Sequence, residues 1–187
     1  MKFRHIIGLL ILITSAAAAT PVIQISESAY AIHGRLASEL RAQMNAFGPM
    51  ESGRHFDAYT HWNVKWHFRY QEENRICRIT QVTVSADIQS AFPQWADYSL
   101  ADKVLQNQWN QYTQRLRMHE KNHSANGADA AVEVENKLIS LPPLRDCQQL
   151  ETLANNQAQQ ILSKYNARDR QYDIVTMHGQ TEGVIFP

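Results

Sequence analysis

From Thr60 to Tyr70 the chain alternates without a break. Trp62, Val64, Trp66, Phe68 and Tyr70 fall on one side, and His61, Asn63, Lys65, His67 and Arg69 on the other. Successive side chains on a strand point to opposite faces, so this spacing predicts a β-strand with one wet face and one face of five large apolar groups. A sheet with such a strand is antiparallel or mixed, and its apolar face needs a covering layer.

The cover is readable further on. Leu105, Trp109, Tyr112 and Leu116 recur at helical intervals, and Ser99 can cap a helix starting near Leu100. The pattern runs to Ile139 before Pro142-Pro143 stops it, as one long helix or as two with a bend near Gly127. A further helix is expected from Gln148 to Tyr165, with Leu150, Ala154, Ala158 and Ile161 on one side. Shorter elements precede these. Tyr30–Gly34 reads as a strand, Arg35–Phe47 as a helix ended by Gly48-Pro49, and Met50–His55 as a loop. Arg75–Val84 reads as a strand after a polar turn at Gln71–Asn74, with a break at Pro93 and Trp95. The tail from Asn166 to Pro187 has no clean periodicity. The fold class expected is α+β: one domain over residues 20–187, with a small antiparallel or mixed sheet packed on a long helix and a second, C-terminal helix.

Residues 1–19 stand apart. Lys2 and Arg4 give a positive start, Ile6–Ile13 an apolar run, and Ala17-Ala18-Ala19 before Thr20 a small-residue cleavage site. This is the layout of a secretory signal peptide, so a periplasmic or secreted protein is expected. The apolar run is too short to span a bilayer, and no later stretch is apolar enough. Cleavage leaves 16 positive and 18 negative side chains of the original 18 and 18. That balance argues against nucleic acid as a partner. With 44% hydrophobic residues and four tryptophans, the chain is not of the disordered class either. In an exported protein the two cysteines, Cys77 and Cys147, are most simply one disulfide. It closes a loop of about 70 residues and contributes roughly 3–4 kcal/mol by chain entropy.

The sharpest chemical signal is His119-Glu120-Lys121-Asn122-His123. Residues four apart lie one above the other on a helix, so both imidazoles can reach one ion. Glu120, one position round, can reach a water on that ion. This is the H-E-x-x-H arrangement of two zinc ligands and a general base. Stepping three and then four from Leu116 lands on positions 119 and 123, so both histidines fall on the inward stripe. A catalytic zinc site takes a third protein ligand and leaves the fourth position for water. The candidates are His178 and Asp173 in the tail and Asp129 on the helix. Glu133 lies about 15 Å beyond His123 along a straight helix and is too far.

The residues then resemble a known family, the bacterial DUF922 family, described as predicted secreted zinc-dependent proteases. The similarity runs from about Tyr30 to Pro187. It rests on Gly48-Pro49, Gly53-Arg54 with Phe56-Asp57, the strand from Thr60 to Phe68, Cys77, Pro93, Trp95, His119-Glu120…His123 and Cys147. The tail Tyr172-Asp173-x-x-Thr176-x-His178-Gly179, followed by Gly183, is the most specific part. The resemblance implies a zincin-like metallopeptidase fold. It raises His178 above Asp129 as third ligand, leaves Asp173 as ligand or as a carboxylate orienting an imidazole, and offers Tyr172 as a stabiliser of an oxyanion.

The expectation is therefore an exported zinc peptidase acting on a peptide or protein of the cell envelope, with His119, His123 and His178 on zinc and Glu120 as base. Two alternatives accompany it. One is a non-enzymatic envelope protein of the same fold that binds peptide or cell-wall components; the other is a zinc amidase acting on peptidoglycan peptides. The histidines at 61 and 67 are read as a solvated strand face, and the tryptophans at 62, 66, 95 and 109 as core.

Overall fold

The computed structural model describes residues 20–186, so the segment read as a signal peptide lies outside the described residues. Five strands and three helices follow in the order β1 (Val22–Ile32), α1 (Ala37–Phe47), β2 (Met50–Glu51), β3 (Arg54–His55), β4 (Tyr59–Glu73), β5 (Ile76–Trp95), α2 (Lys103–Ile139) and α3 (Cys147–Thr176). The architecture is α+β, with a mixed three-stranded sheet of order β1-β5-β4. β1 runs parallel to β5 and β4 antiparallel to it. No helix among the described residues is long and apolar enough to cross a membrane.

The predicted strand is the inner end of β4. Trp62 and Val64 are buried, Trp66 and Phe68 are half-buried, and a register shift at Arg69/Tyr70 ends the strict alternation. The turn to β5 sits at Asn74 and Arg75, both at positive φ, which is the twist that suits a two-residue hairpin. Ser52 and Gly53 do the same for the small β2–β3 hairpin, where a plain loop is expected from sequence. β5 continues through Pro93 to Trp95 instead of breaking there. β4 begins opposite Ala91, so Pro93 lies beyond its end and its missing N–H removes no bond on that side. β1 starts eight residues earlier than expected, because neither face of Val22–Ala29 is covered and the sequence there carries no burial pattern.

α2 is one unbroken helix. Asp102, not Ser99, caps it, its carboxylate accepting from the Leu105 N–H at 2.8 Å. Gly127 marks no bend: the Trp62 ring lies where a side chain would begin, with an added Cβ only 2.6 Å from Trp62 Cγ. The glycine lets the helix approach the sheet. α3 starts at an Asp146 cap and runs to Thr176, eleven residues past the predicted end. The Cys77–Cys147 disulfide joins the start of β5 to the start of α3.

Two apolar clusters result. One packs β4 and β5 against the C-terminal half of α2 and against α3, through Val84, Ile88, Val134, Leu138 and Ala158. The other gathers Leu40, Met44, Trp95, Trp109, Tyr112 and Phe186 around the N-terminal half of α2. Between Leu116 of the second and Ala130 of the first, the inward stripe of α2 is polar: His119, Glu120, His123 and Asn126 are all buried.

Candidate metal centre

Both histidines point where the α2 stripe predicts. Their Nε2 atoms face each other at 3.3 Å. The third group at this point comes from α3: Asp173 Oδ1 lies 3.2 Å from His119 Nε2 and 3.0 Å from His123 Nε2. Among the described residues, His119, His123 and Asp173 are the three whose ligand atoms converge closely enough to hold a metal ion.

Each imidazole is fixed from behind. His119 Nδ1 lies 3.0 Å from Glu182 Oε2, and His123 Nδ1 lies 3.0 Å from Asp169 Oδ1. A carboxylate can only accept, so each neutral imidazole carries its hydrogen on Nδ1 and turns the Nε2 lone pair inward. Two lone pairs and a carboxylate oxygen then meet at one point, an arrangement that repels itself unless a cation sits among them. Without a metal the cation is a proton. Burial lowers the affinity of His123 for it, but bonds to Asp169 and Asp173 outweigh burial and push its pKa up to about 10. His119 shifts upward for the same reasons, with Asp173 and Glu182 as partners. Asp173, although half-buried, is held well below the usual carboxylate range by the two histidines.

Glu120 is buried beside this cluster on the cleft wall. Burial raises its pKa against the opposing pull of Thr60 and the histidines, and its Oε2 has no hydrogen-bond partner in the protein. A buried carboxylate oxygen without a partner marks Glu120 as a candidate functional group beside the cluster.

The other candidates fall elsewhere. His178 is half-exposed on the cleft wall, its Nδ1 3.7 Å from Asp173 Oδ1 and its ring 5.2 Å from that of Phe56. It stands next to the ligand cluster, not in it. Met177 and His178 both adopt left-handed backbone, φ 51° and 52°, which costs of order 1–3 kcal/mol each. The turn is held by the His178 N–H donating to the Asp173 carbonyl at 2.8 Å and the Gly179 N–H donating to Thr176 Oγ1. Asp129 is exposed on α2, about 15 Å along the axis from His119.

Tyr172 does not line the cleft. Its ring stacks on His119 at 4.8 Å, and its hydroxyl donates to Glu182 and accepts from Asn122 Nδ2 at 2.6 Å. One residue from Asp173 means about 100° round the helix, so with Asp173 facing the cluster Tyr172 faces aside. The tyrosine in the cleft is Tyr59, whose hydroxyl donates to Glu51 at 2.7 Å.

Sequence reasoning passes over Asp169, Glu182 and the polar duty of Trp62. Asp169 has a signal in retrospect: Ile161, Tyr165, Asp169 and Asp173 are spaced by fours, so the inward stripe of α3 turns from apolar to acidic where it meets the histidines. Glu182 has none, because a 3-10 turn at Gln180–Glu182 folds it back. The cleft over the cluster has a volume of about 690 Å³ and is walled by the start of β4, the loop at Phe56, α3 and the tail at Val184–Phe186.

The chain matches the family described as bacterial protein of unknown function (DUF922) over residues 27–179. It belongs to that family. The matched span holds the two histidines, Glu120, Asp169, Asp173 and His178, while Glu182 lies just beyond it. No curated protein and no solved structure matches this DUF922 chain.

Proposed function

We propose that this protein is an exported zinc-dependent peptidase of zincin-like fold. The observation that carries the reading is the convergence of His119 Nε2, His123 Nε2 and Asp173 Oδ1 beside an unpartnered Glu120 carboxylate in one open cleft. Zinc–nitrogen bonds of 2.0–2.1 Å at tetrahedral angles put ligand atoms about 3.3 Å apart. The three separations here are 3.0, 3.2 and 3.3 Å. Two imidazoles and one carboxylate suit zinc, and His119, His123 and Asp173 would hold it with three protein ligands, the number a catalytic zinc takes. The Cys77–Cys147 disulfide supports an oxidising compartment, in line with the signal peptide expected from the sequence of residues 1–19.

Zinc in this site supplies a Lewis acid and lowers the pKa of a water. Asp169 and Glu182 hold the imidazoles in the tautomer that binds it. Glu120 takes a proton from the attacking water and returns it to the leaving amine, its raised affinity for a proton suiting both transfers. His178, on the cleft wall beside Asp173, is placed to donate to the developing oxyanion, the role that the resemblance offered to Tyr172. The substrate is a peptide or protein chain laid along the cleft.

The test is metal content and hydrolysis in one set of proteins. Purified without chelator, the wild type carries about one zinc per chain and cleaves unfolded polypeptide. Glu120→Gln keeps the zinc and loses cleavage by about 10²–10⁴-fold. Failure of the wild type to take up zinc at neutral pH, or full activity in Glu120→Gln, overturns the reading.

A further inference from the structure

The charges that line the cleft are not used evenly. Its carboxylates are engaged or buried. Asp57 takes a bidentate pair from Arg41 at 2.7 and 2.9 Å and the Tyr112 hydroxyl, and Glu51 takes the Tyr59 hydroxyl. Asp169 and Asp173 serve the histidines of the ligand cluster, and Glu120 is buried. The guanidiniums differ. Arg54 and Arg170 also line the cleft, both exposed, and neither forms an ion pair among the described residues. Arg54 stands opposite Glu51 in the β2–β3 hairpin, yet Glu51 turns to Tyr59 and Arg54 lies over the Phe56 ring at 5.6 Å. Phe56 in turn packs on His178, 5.2 Å away, and His178 borders Asp173. These steps put the Arg54 guanidinium within about 11 Å of the His178 ring, the length of about three extended residues. Arg170 precedes Asp173 by three residues on α3, about 4.5 Å along the axis and away from the turn that carries His178. The two unspent cations therefore flank the ligand cluster.

A guanidinium is always charged and offers five donors in a planar fork that fits a carboxylate. We propose that Arg54 and Arg170 determine the specificity of this cleft: they select an extended peptide with acidic side chains on both sides of the residue that faces the ligand cluster. Cleavage of that peptide rests on the peptidase reading. Its binding does not, because neither arginine belongs to the ligand cluster.

Fluorescence anisotropy on the chelated, metal-free protein tests the binding. The probes are labelled peptides of alanine, serine and glycine that carry two glutamates, or two glutamines, about three positions either side of the centre. The glutamate peptide binds about tenfold more tightly than the glutamine peptide at low salt, and the gap closes as salt is raised. Arg54→Gln and Arg170→Gln each weaken it about two- to fivefold and leave the glutamine peptide unchanged, at an unchanged melting temperature. Arg54→Lys keeps part of the preference, since an ammonium retains the charge but not the fork. Equal binding of the two peptides, or a preference that survives the loss of both arginines, overturns the proposal. The zinc-loaded protein separates it from the peptidase reading. Cleavage of unfolded polypeptide at sites without acidic residues within about three positions of the scissile bond overturns this proposal and leaves the peptidase. An acid preference that depends on both arginines, in a protein that neither takes up zinc nor cleaves, supports this proposal and overturns the peptidase.

Discussion

Trp62 and Asp169 are joined across 107 residues of chain: the indole N–H donates to Asp169 Oδ2 at 2.5 Å while Oδ1 of the same carboxylate receives His123. One aromatic side chain thus packs the sheet against Gly127 and sets the carboxylate that orients His123. Asp169→Asn lowers zinc affinity by about 10–100-fold, the usual result of losing a carboxylate behind a ligating imidazole. Trp62→Phe, which spares the carboxylate but removes its donor, has a smaller effect of the same sign. Competition with a chromophoric chelator measures both; equal affinity in Asp169→Asn and wild type shows that His123 is held by other means.

His178 and Asp173 separate the two candidate third ligands. Asp173→Ala abolishes stoichiometric zinc binding, since Oδ1 is the atom both Nε2 groups face. His178→Ala keeps zinc but lowers kcat by about 10²–10³-fold with little change in KM, as for loss of a donor to an oxyanion. Metal analysis alongside kinetics distinguishes them. Zinc lost from His178→Ala and kept in Asp173→Ala reverses the assignment.

The metal-free protein has a pH dependence whose sign follows from His123. Its folded pKa of about 10 lies above the ordinary 6.5. The stabilisation is fully present below 6.5 and is lost as pH rises towards 10. Glu120, also raised, acts in the same direction at lower pH. Asp173 is lowered, so its contribution is lost as pH falls below the usual 3.8. Melting of the chelated protein is therefore expected to drop by a few degrees between pH 6.5 and 10, and zinc, which replaces the proton, flattens the profile. A chelated protein that melts higher at pH 9 than at pH 6.5 contradicts this.

Gly127→Ala weighs two effects. Alanine gains up to about 1 kcal/mol in helix propensity. Its Cβ meets Trp62 Cγ at 2.6 Å, and overpacking of this kind costs about 1–3 kcal/mol. The clash wins, so the variant melts several degrees lower, and zinc affinity falls with it because Trp62 moves off Asp169. Calorimetry and chelator competition read the two effects. A more stable variant means that the ring can yield.

Periodicity exposed the parts of this fold in which one face is apolar. The alternation at Thr60–Phe68 and the stripe from Leu105 to Leu116 each point to a covered surface, and the structure covers both. The placement of His119 and His123 on the same stripe needed only the helical repeat. Where the covered face is polar, or where neither face is covered, the pattern is silent. The last eleven residues of α3 looked like tail because Asp169, Asp173 and Thr176 occupy its inward positions. β1 lost its first eight residues to the same blindness, having no buried side to read. The cysteine pairing was legible because a chain with two cysteines leaves one choice of disulfide.

What sequence by itself determined is the local chemistry: two imidazoles four apart, a carboxylate between them, and the layers that bury them. Tertiary structure alone decided which acids meet those imidazoles. Asp173 and Asp169 reach them because α3 continues and crosses α2, and Glu182 because three left-handed residues turn the chain back after Thr176. Spacing along a helix is set by the backbone repeat, whereas contact between segments more than forty residues apart is set by how the apolar clusters pack on either side of the site.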